Sequence, residues 1–143
     1  MRKFLLLLSV MGIVLASCDI ETSDNGKLDG YWHLVSADTL ATQGHTDLSQ
    51  QRIFWAVQVN LIQLRGTEQE LYFHLFYQAK ELTLSHPHLK DRGRGDPEVN
   101  EEYKHFIYPY GINDYEEHFK VIQLTNEKMT LQSSTLQLNF SKM

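Results

Sequence analysis

The sequence predicts an all-β domain, an eight-stranded antiparallel meander barrel, behind an N-terminal export leader. Three observations carry this. Apolar and polar residues alternate through Arg52–Arg65, Leu71–Tyr77 and Leu136–Phe140, which places every second side chain on one face of a strand. No long stretch after Leu28 repeats its apolar residues with the roughly 3.6-residue period of an amphipathic helix. Short polar clusters punctuate the alternating runs, and an antiparallel sheet of this many strands loses its exposed edges by closing on itself.

In chain order, residues 1–17 read as a leader, 18–27 as a polar tether and 28–143 as the barrel. Arg2 and Lys3 precede an apolar run, Phe4–Val14, broken only by Ser9 and Gly12. That run is too short to span a bilayer, which takes about 20 apolar residues. It ends in Leu15-Ala16-Ser17-Cys18, which resembles the lipobox of bacterial lipoproteins. The resemblance implies that Cys18 receives a palmitate-type lipid, that cleavage falls just before it, and that the mature chain is held to the outer membrane without crossing it. Cys18 is the only cysteine, so no disulfide can form within the chain. Asp19, Glu21 and Asp24 keep the tether polar and resemble the surface-export signals of Bacteroidota lipoproteins, leaving both the periplasmic face and the cell surface open.

The chain carries a formal charge of −5, and both leader charges are basic, so the mature protein is more acidic still. Nucleic acid is not an expected partner. The one basic cluster, Lys90, Arg92 and Arg94, sits in a loop with glycine and proline and reads as a solvated tip.

The first strand, Leu28–Val35, sets Leu28, Gly30, Trp32 and Leu34 on one face, and a polar loop, Ser36–Gln50, follows. Arg52–Arg65 reads as one long strand with Ile53, Trp55, Val57, Val59 and Leu61 inward. After a turn at Gly66–Glu70, Leu71–Tyr77 returns as its hairpin partner, and Leu82 and Leu84 mark a short fourth strand. Pro87, Gly93, Gly95 and Pro97 argue for a long irregular excursion over Ser85–Glu102. Tyr103–Tyr108 is expected as a strand and Asn113–Glu117 as a single helical turn. Phe119 and Val121, Met129 and Leu131, and Leu136, Leu138 and Phe140 then mark three short strands, with turns at Asn126-Glu127 and Ser133-Ser134.

Leu28-Asp29-Gly30-Tyr31-Trp32-His33-Leu34 resembles the Gly-x-Trp opening strand of the lipocalin and calycin group, and the closing run from Phe119 to Phe140 looks like the end of lipocalin-like lipoproteins of Bacteroidota. The resemblance implies a calycin-like barrel. In it Gly30 lets the backbone bend or approach a neighbour, and Trp32 plugs one end. Lys142, where lipocalins usually carry arginine, packs over that tryptophan.

No zinc-type cysteine pattern, phosphate-binding glycine loop or nucleophile elbow occurs, so neither a cofactor nor an enzymatic activity is expected. His86-Pro87-His88 has a spacing that brings two imidazoles together but lacks a placed third ligand, so no metal is expected. His74 and His118 fall on polar strand faces, and Glu116 and Glu117 diverge as neighbours. The uniformly apolar inner stripe instead favours a small hydrophobic ligand, with Trp55 and Phe73 in contact and Tyr77 and Tyr108 near the mouth. The alternative is a filled barrel serving as a scaffold, its outward Tyr72, His74 and Phe76 meeting an envelope protein partner.

Overall fold

A computed structural model describes residues 25–143; the leader, Cys18 and the first part of the tether lie outside the described residues. The strands are β1 (Gly30–Thr39), β2 (Gly44–Asp47), β3 (Phe54–Gln58), β4 (Leu61–Arg65), β5 (Leu71–Gln78), β6 (Glu81–Leu89), β7 (Glu117–Leu124), β8 (Lys128–Gln132) and β9 (Leu136–Lys142). Every pairing is antiparallel, and β1 pairing with β9 closes the ring. Eight strands in sequence order form the barrel, with β2 attached outside it to the far half of β1.

β1 serves both neighbours by length. Gly30–His33 pairs with β3, Ser36–Thr39 pairs with β2, and β9 runs along the opposite edge of nearly the whole strand. The expected loop at Ser36–Gln50 is therefore in part a hairpin, Thr39 back to Asp47. β2 carries no apolar alternation because all four of its residues are exposed, so neither of its faces is buried.

Arg52–Arg65 is two strands, not one. Val59 and Asn60 form a tight turn, Gln58 pairs with Leu61, and Val59 takes a positive φ of 55°. An even-length reversal changes which parity faces inward: Trp55 and Val57 point into the core, as do Ile62 and Leu64, while Val59 and Leu61 are exposed. The other correction offsets this one in the strand count. Tyr103–Tyr108 holds no strand; Lys104–Phe106 and Tyr108–Tyr110 are short 3-10 turns. Pro109 fixes φ and lacks an N–H, which suits a turn and not a ladder. The helical turn expected at Asn113–Glu117 is a bend leading into β7.

The long excursion also starts later than expected. Ser85–Leu89 belongs to β6, and a bulge at His86 (φ 52°), opposite Tyr72–His74, keeps Leu84, Pro87 and Leu89 inward while Ser85, His86 and His88 face out. The turns around Asn126-Glu127 and Ser133-Ser134 are closed by Thr125 N–H to Lys128 O and Ser133 N–H to Leu136 O, each 2.8 Å.

The core is the barrel interior. Trp32, Leu34, Trp55, Ile62, Leu64, Leu71, Phe73, Leu84, Phe119, Leu131, Leu138 and Phe140 are all buried within one cluster. Each such side chain contributes about 1.5–3 kcal/mol by leaving water, so closure of the ring is driven from inside.

Candidate functional site

The two ends of the barrel differ. At one end the chain enters through a 3-10 turn, Gly26–Leu28, whose Leu28 lies under the sheet. Trp32 is fully buried there and donates its indole Nε1–H to the Leu28 carbonyl at 2.8 Å. Lys142, its register partner on β9, holds Nζ 5.1 Å from the centre of the Trp32 ring. Gly30 makes the room: a Cβ there would lie 2.5 Å from Lys142 Cε, and its φ of 138° disfavours a side chain. Gly30, Trp32 and Lys142, named from the sequence, thus stand together at the chain-entry end.

The opposite end, the mouth, is framed by the β4–β5 turn, the β8–β9 turn and the segment between β6 and β7. That segment, residues 90–116, folds over the mouth and sends Ile107, Tyr110 and Ile112 inward, all fully buried. Tyr110 is the stopper. Its carbonyl accepts the Trp55 indole N–H at 3.2 Å, and its hydroxyl donates to the Gln69 carbonyl on the facing rim at 2.9 Å. Burial pushes the Tyr110 hydroxyl above its ordinary range. Farther along, Tyr115 donates to Glu101 at 2.7 Å, and that hydrogen bond pushes its hydroxyl up to about 12. Ile107, Tyr110 and Ile112 were not singled out from the sequence, because their uneven spacing on 3-10 turns matches neither strand nor helix.

The residues expected to touch a ligand separate in this frame. Trp55 and Phe73 are fully buried, with Trp55 edge-on to Phe119 at 5.8 Å and to Phe140 at 4.8 Å between ring centres. Neither side chain has surface facing a water-sized void, so the barrel around them is filled by its own residues. Tyr77 is partly buried against the core near the chain-entry end, and Tyr108 lies exposed on the outside of the plug. The four therefore do not line one open space.

An inward carboxylate interrupts the apolar lining. Glu117 opens β7 on the inward register with Phe119 and Val121, and it is 7% exposed beneath the plug. Its Oε2 accepts the Asn113 N–H at 3.3 Å, and burial raises its carboxyl above the ordinary 4.5. Glu70 on the same rim behaves oppositely. Burial works against its charge, but Lys90 at 3.1 Å and Arg65 at 3.4 Å outweigh it and hold the carboxyl below its ordinary range.

Outside, among the described residues, grooves of 350–540 Å³ open on the barrel surface. The 350 Å³ groove on β4–β6 is lined by Leu61, Tyr72, His74, His88 and Asp96. His74 lies between His86 and His88, at 5.5 and 6.3 Å between ring centres, because the β6 bulge turns both toward it. Among the described residues, no three histidine, cysteine or acidic side chains converge closely enough to hold a metal ion. Tyr72, His74 and Phe76 of β5 face outward, with Tyr72 and His74 in this groove and Phe76 nearer the chain-entry end.

The fold has solved counterparts. A lipocalin-like protein from Bacteroides uniformis ATCC 8492 superposes with a TM-score of 0.60 at 17% identity, covering 82% of this chain and 100% of that one. An uncharacterized protein from Bacteroides eggerthii DSM 20697 gives 0.56 at 20% identity over 80% and 98%. A protein from Burkholderia xenovorans gives 0.55 at 10% identity over 90% and 94%. At these identities the likeness is one of fold. No curated protein matches the sequence. The family model described as the lipocalin-like domain matches residues 13–143, and with its closed eight-strand ring the chain belongs to that family.

Proposed function

We propose that this chain is a lipid-anchored cell-envelope lipoprotein of the outer membrane, at its periplasmic face or the cell surface, whose filled barrel is a non-catalytic scaffold for a protein partner. The lipobox-like Leu15-Ala16-Ser17-Cys18 supports the anchor. The observation that carries the scaffold reading is the filled interior: Trp55 is wedged among Phe119, Phe140 and the Tyr110 carbonyl, leaving no room beside it. The groove of Tyr72, His74, His88, Leu61 and Asp96 then offers mixed aromatic and titratable chemistry suited to a protein surface. Titration with fatty acids, sterols and aromatic metabolites is expected to leave tryptophan emission unchanged. In-cell photo-crosslinking from Tyr72 is expected to trap an envelope protein. A saturable emission shift overturns the scaffold reading.

A second reading, carriage of a small hydrophobic ligand, is favoured by one feature. The stopper is a 3-10 turn held to the barrel through Trp55 and Gln69, and withdrawing it would expose Trp55. Phe73 would then join Trp55 in contact with ligand. The same titration decides, since a carrier shows a saturable shift that Tyr110→Phe strengthens by weakening the latch.

A further inference from the structure

Of the seven large apolar side chains exposed among the described residues, Leu40 and Tyr108 belong to the mouth half of the molecule; the other five, Val59, Leu61, Phe76, Ile122 and Met143, belong to the chain-entry half. The backbone ties this end together. Asn25 Nδ2 donates to the Val59 carbonyl, Val121 N–H to Lys80 O, Lys142 N–H to Glu127 O and Met143 N–H to Tyr31 O. The Val59-Asn60, Ala79-Lys80 and Asn126-Glu127 turns and both ends of the described chain therefore share one rim. Val59 is 53% exposed, Ile122 55%, Phe76 63% and Met143 70%.

Folding does not ask for this rim. Val59 stands at a positive φ of 55°, where a β-branched residue is disfavoured and glycine is preferred. Ile122 sits at the β7 bulge, the unpaired position between Val121 and Gln123. Neither side chain belongs to the buried core of the barrel. Lys27, Lys80 and Lys128 stand on the same rim as Asp29, Glu81 and Glu127 and form no ion pair among the described residues. Apolar side chains interspersed with lysine match the interface of a bilayer with anionic headgroups.

The length of chain outside the described residues supplies the geometry. Only residues 19–24 separate Cys18 from Asn25, so even a fully extended segment holds the rim within about 25 Å of a lipid on Cys18. We propose that the chain-entry rim docks onto the anionic lipid surface and turns the plugged mouth away from it, an inference that rests on the anchor at Cys18. Val59, Ile122, Phe76 and Met143 enter the headgroup layer, and Lys27, Lys80 and Lys128 meet lipid phosphates. Asp19, Glu21 and Asp24 of the intervening segment oppose the attraction, which makes the rim's own contacts necessary for close seating.

The test uses the full chain, purified from membranes and reconstituted in vesicles of phosphatidylethanolamine and phosphatidylglycerol. An environment-sensitive fluorophore is placed through Val59→Cys, Met143→Cys, Leu40→Cys or Tyr108→Cys, one at a time, while intact mass reports the lipid on Cys18. In lipidated chains, the Val59 and Met143 probes shift to the blue and escape an aqueous quencher, and the Leu40 and Tyr108 probes do neither. Mouth probes shifting instead, or all four staying in water in lipidated chains, overturns the docking. A mass without lipid overturns the anchor alone. The unlipidated chain is then added to the same vesicles, where blue-shifted rim probes uphold the docking and unshifted ones end it. Each of Lys80→Gln and Lys128→Gln should weaken that binding about fivefold, an effect absent on phosphatidylcholine.

Discussion

The Trp55 indole donates to the Tyr110 carbonyl at 3.2 Å, joining residues 55 apart in sequence and fixing the plug to the barrel wall. A tryptophan with this bond, and with Phe119 and Phe140 against its edges, is occupied by the protein itself. Removing the stopper should reverse that. Tyr110→Ala is expected to cost about 3–5 kcal/mol, as a large buried aromatic cut to alanine does, and to open a dry apolar pocket beside Trp55. Urea unfolding measures the first effect. Saturable quenching of Trp55 by a small aromatic such as indole-free benzene derivatives measures the second, and a destabilised variant that binds none of them refutes the stopper role.

Glycine substitutions separate a yielding neighbour from an unyielding one. At Gly30 an added Cβ meets the flexible end of Lys142, whereas at Gly66 it would lie 1.6 Å from the Arg52 backbone carbonyl oxygen. Gly66→Ala should therefore be far more damaging than Gly30→Ala, the former beyond the ordinary 0.5–3 kcal/mol range of roughly typical point changes. Lys142→Met keeps the stem over Trp32 and removes only the cation, for an expected loss of about 0.5–1 kcal/mol. Equal unfolding midpoints for Gly30→Ala and Gly66→Ala would show that backbone proximity at Gly66 is not what constrains it.

Period-two alternation made the inward sets of β5, β7, β8 and β9 legible, because each strand has one wet and one dry face. It failed where the apolar pattern continued through a turn. Val59 and Leu61 keep the phase of Ile53, Trp55 and Val57, yet the chain reverses at Val59-Asn60; the signal was the doublet Leu61-Ile62, where the inward parity changes. At the candidate site, Gly30, Trp32 and Lys142 were readable because a strand register brings them together. Tyr110 was not. Its burial depends on a tertiary contact of an irregular segment, and the exposed Tyr108 two residues away has the same local chemistry.

Val59 itself offers a stability test. A left-handed first turn position disfavours a β-branched side chain by roughly 1–2 kcal/mol. With its side chain exposed, Val59→Gly relieves that strain at little packing cost. The variant should unfold at higher urea by about 1 kcal/mol, reduced by glycine's own entropy cost. If Val59→Gly is instead less stable, the valine is packed in solution and does not stand free on the rim.

Glu117 and Glu70 make pH the sharpest discriminator of the mouth. The folded chain raises the Glu117 carboxyl above 4.5, so its protonated form suits the fold; that contribution is complete below the unfolded value and is lost as pH rises through the elevated folded one. Glu117→Gln mimics the protonated acid, and should match the parent near pH 4 but melt several degrees higher near pH 8. Glu70 has the opposite sign. Its lowered carboxyl contributes above 4.5, through Lys90 and Arg65, and loses that contribution as pH falls. Glu70→Gln should melt below the parent at neutral pH and converge with it in acid. Parallel melting curves for parent and Glu117→Gln at every pH would mean that the carboxylate is hydrated in solution, and hence that water reaches the inward face of β7 beside Asn113.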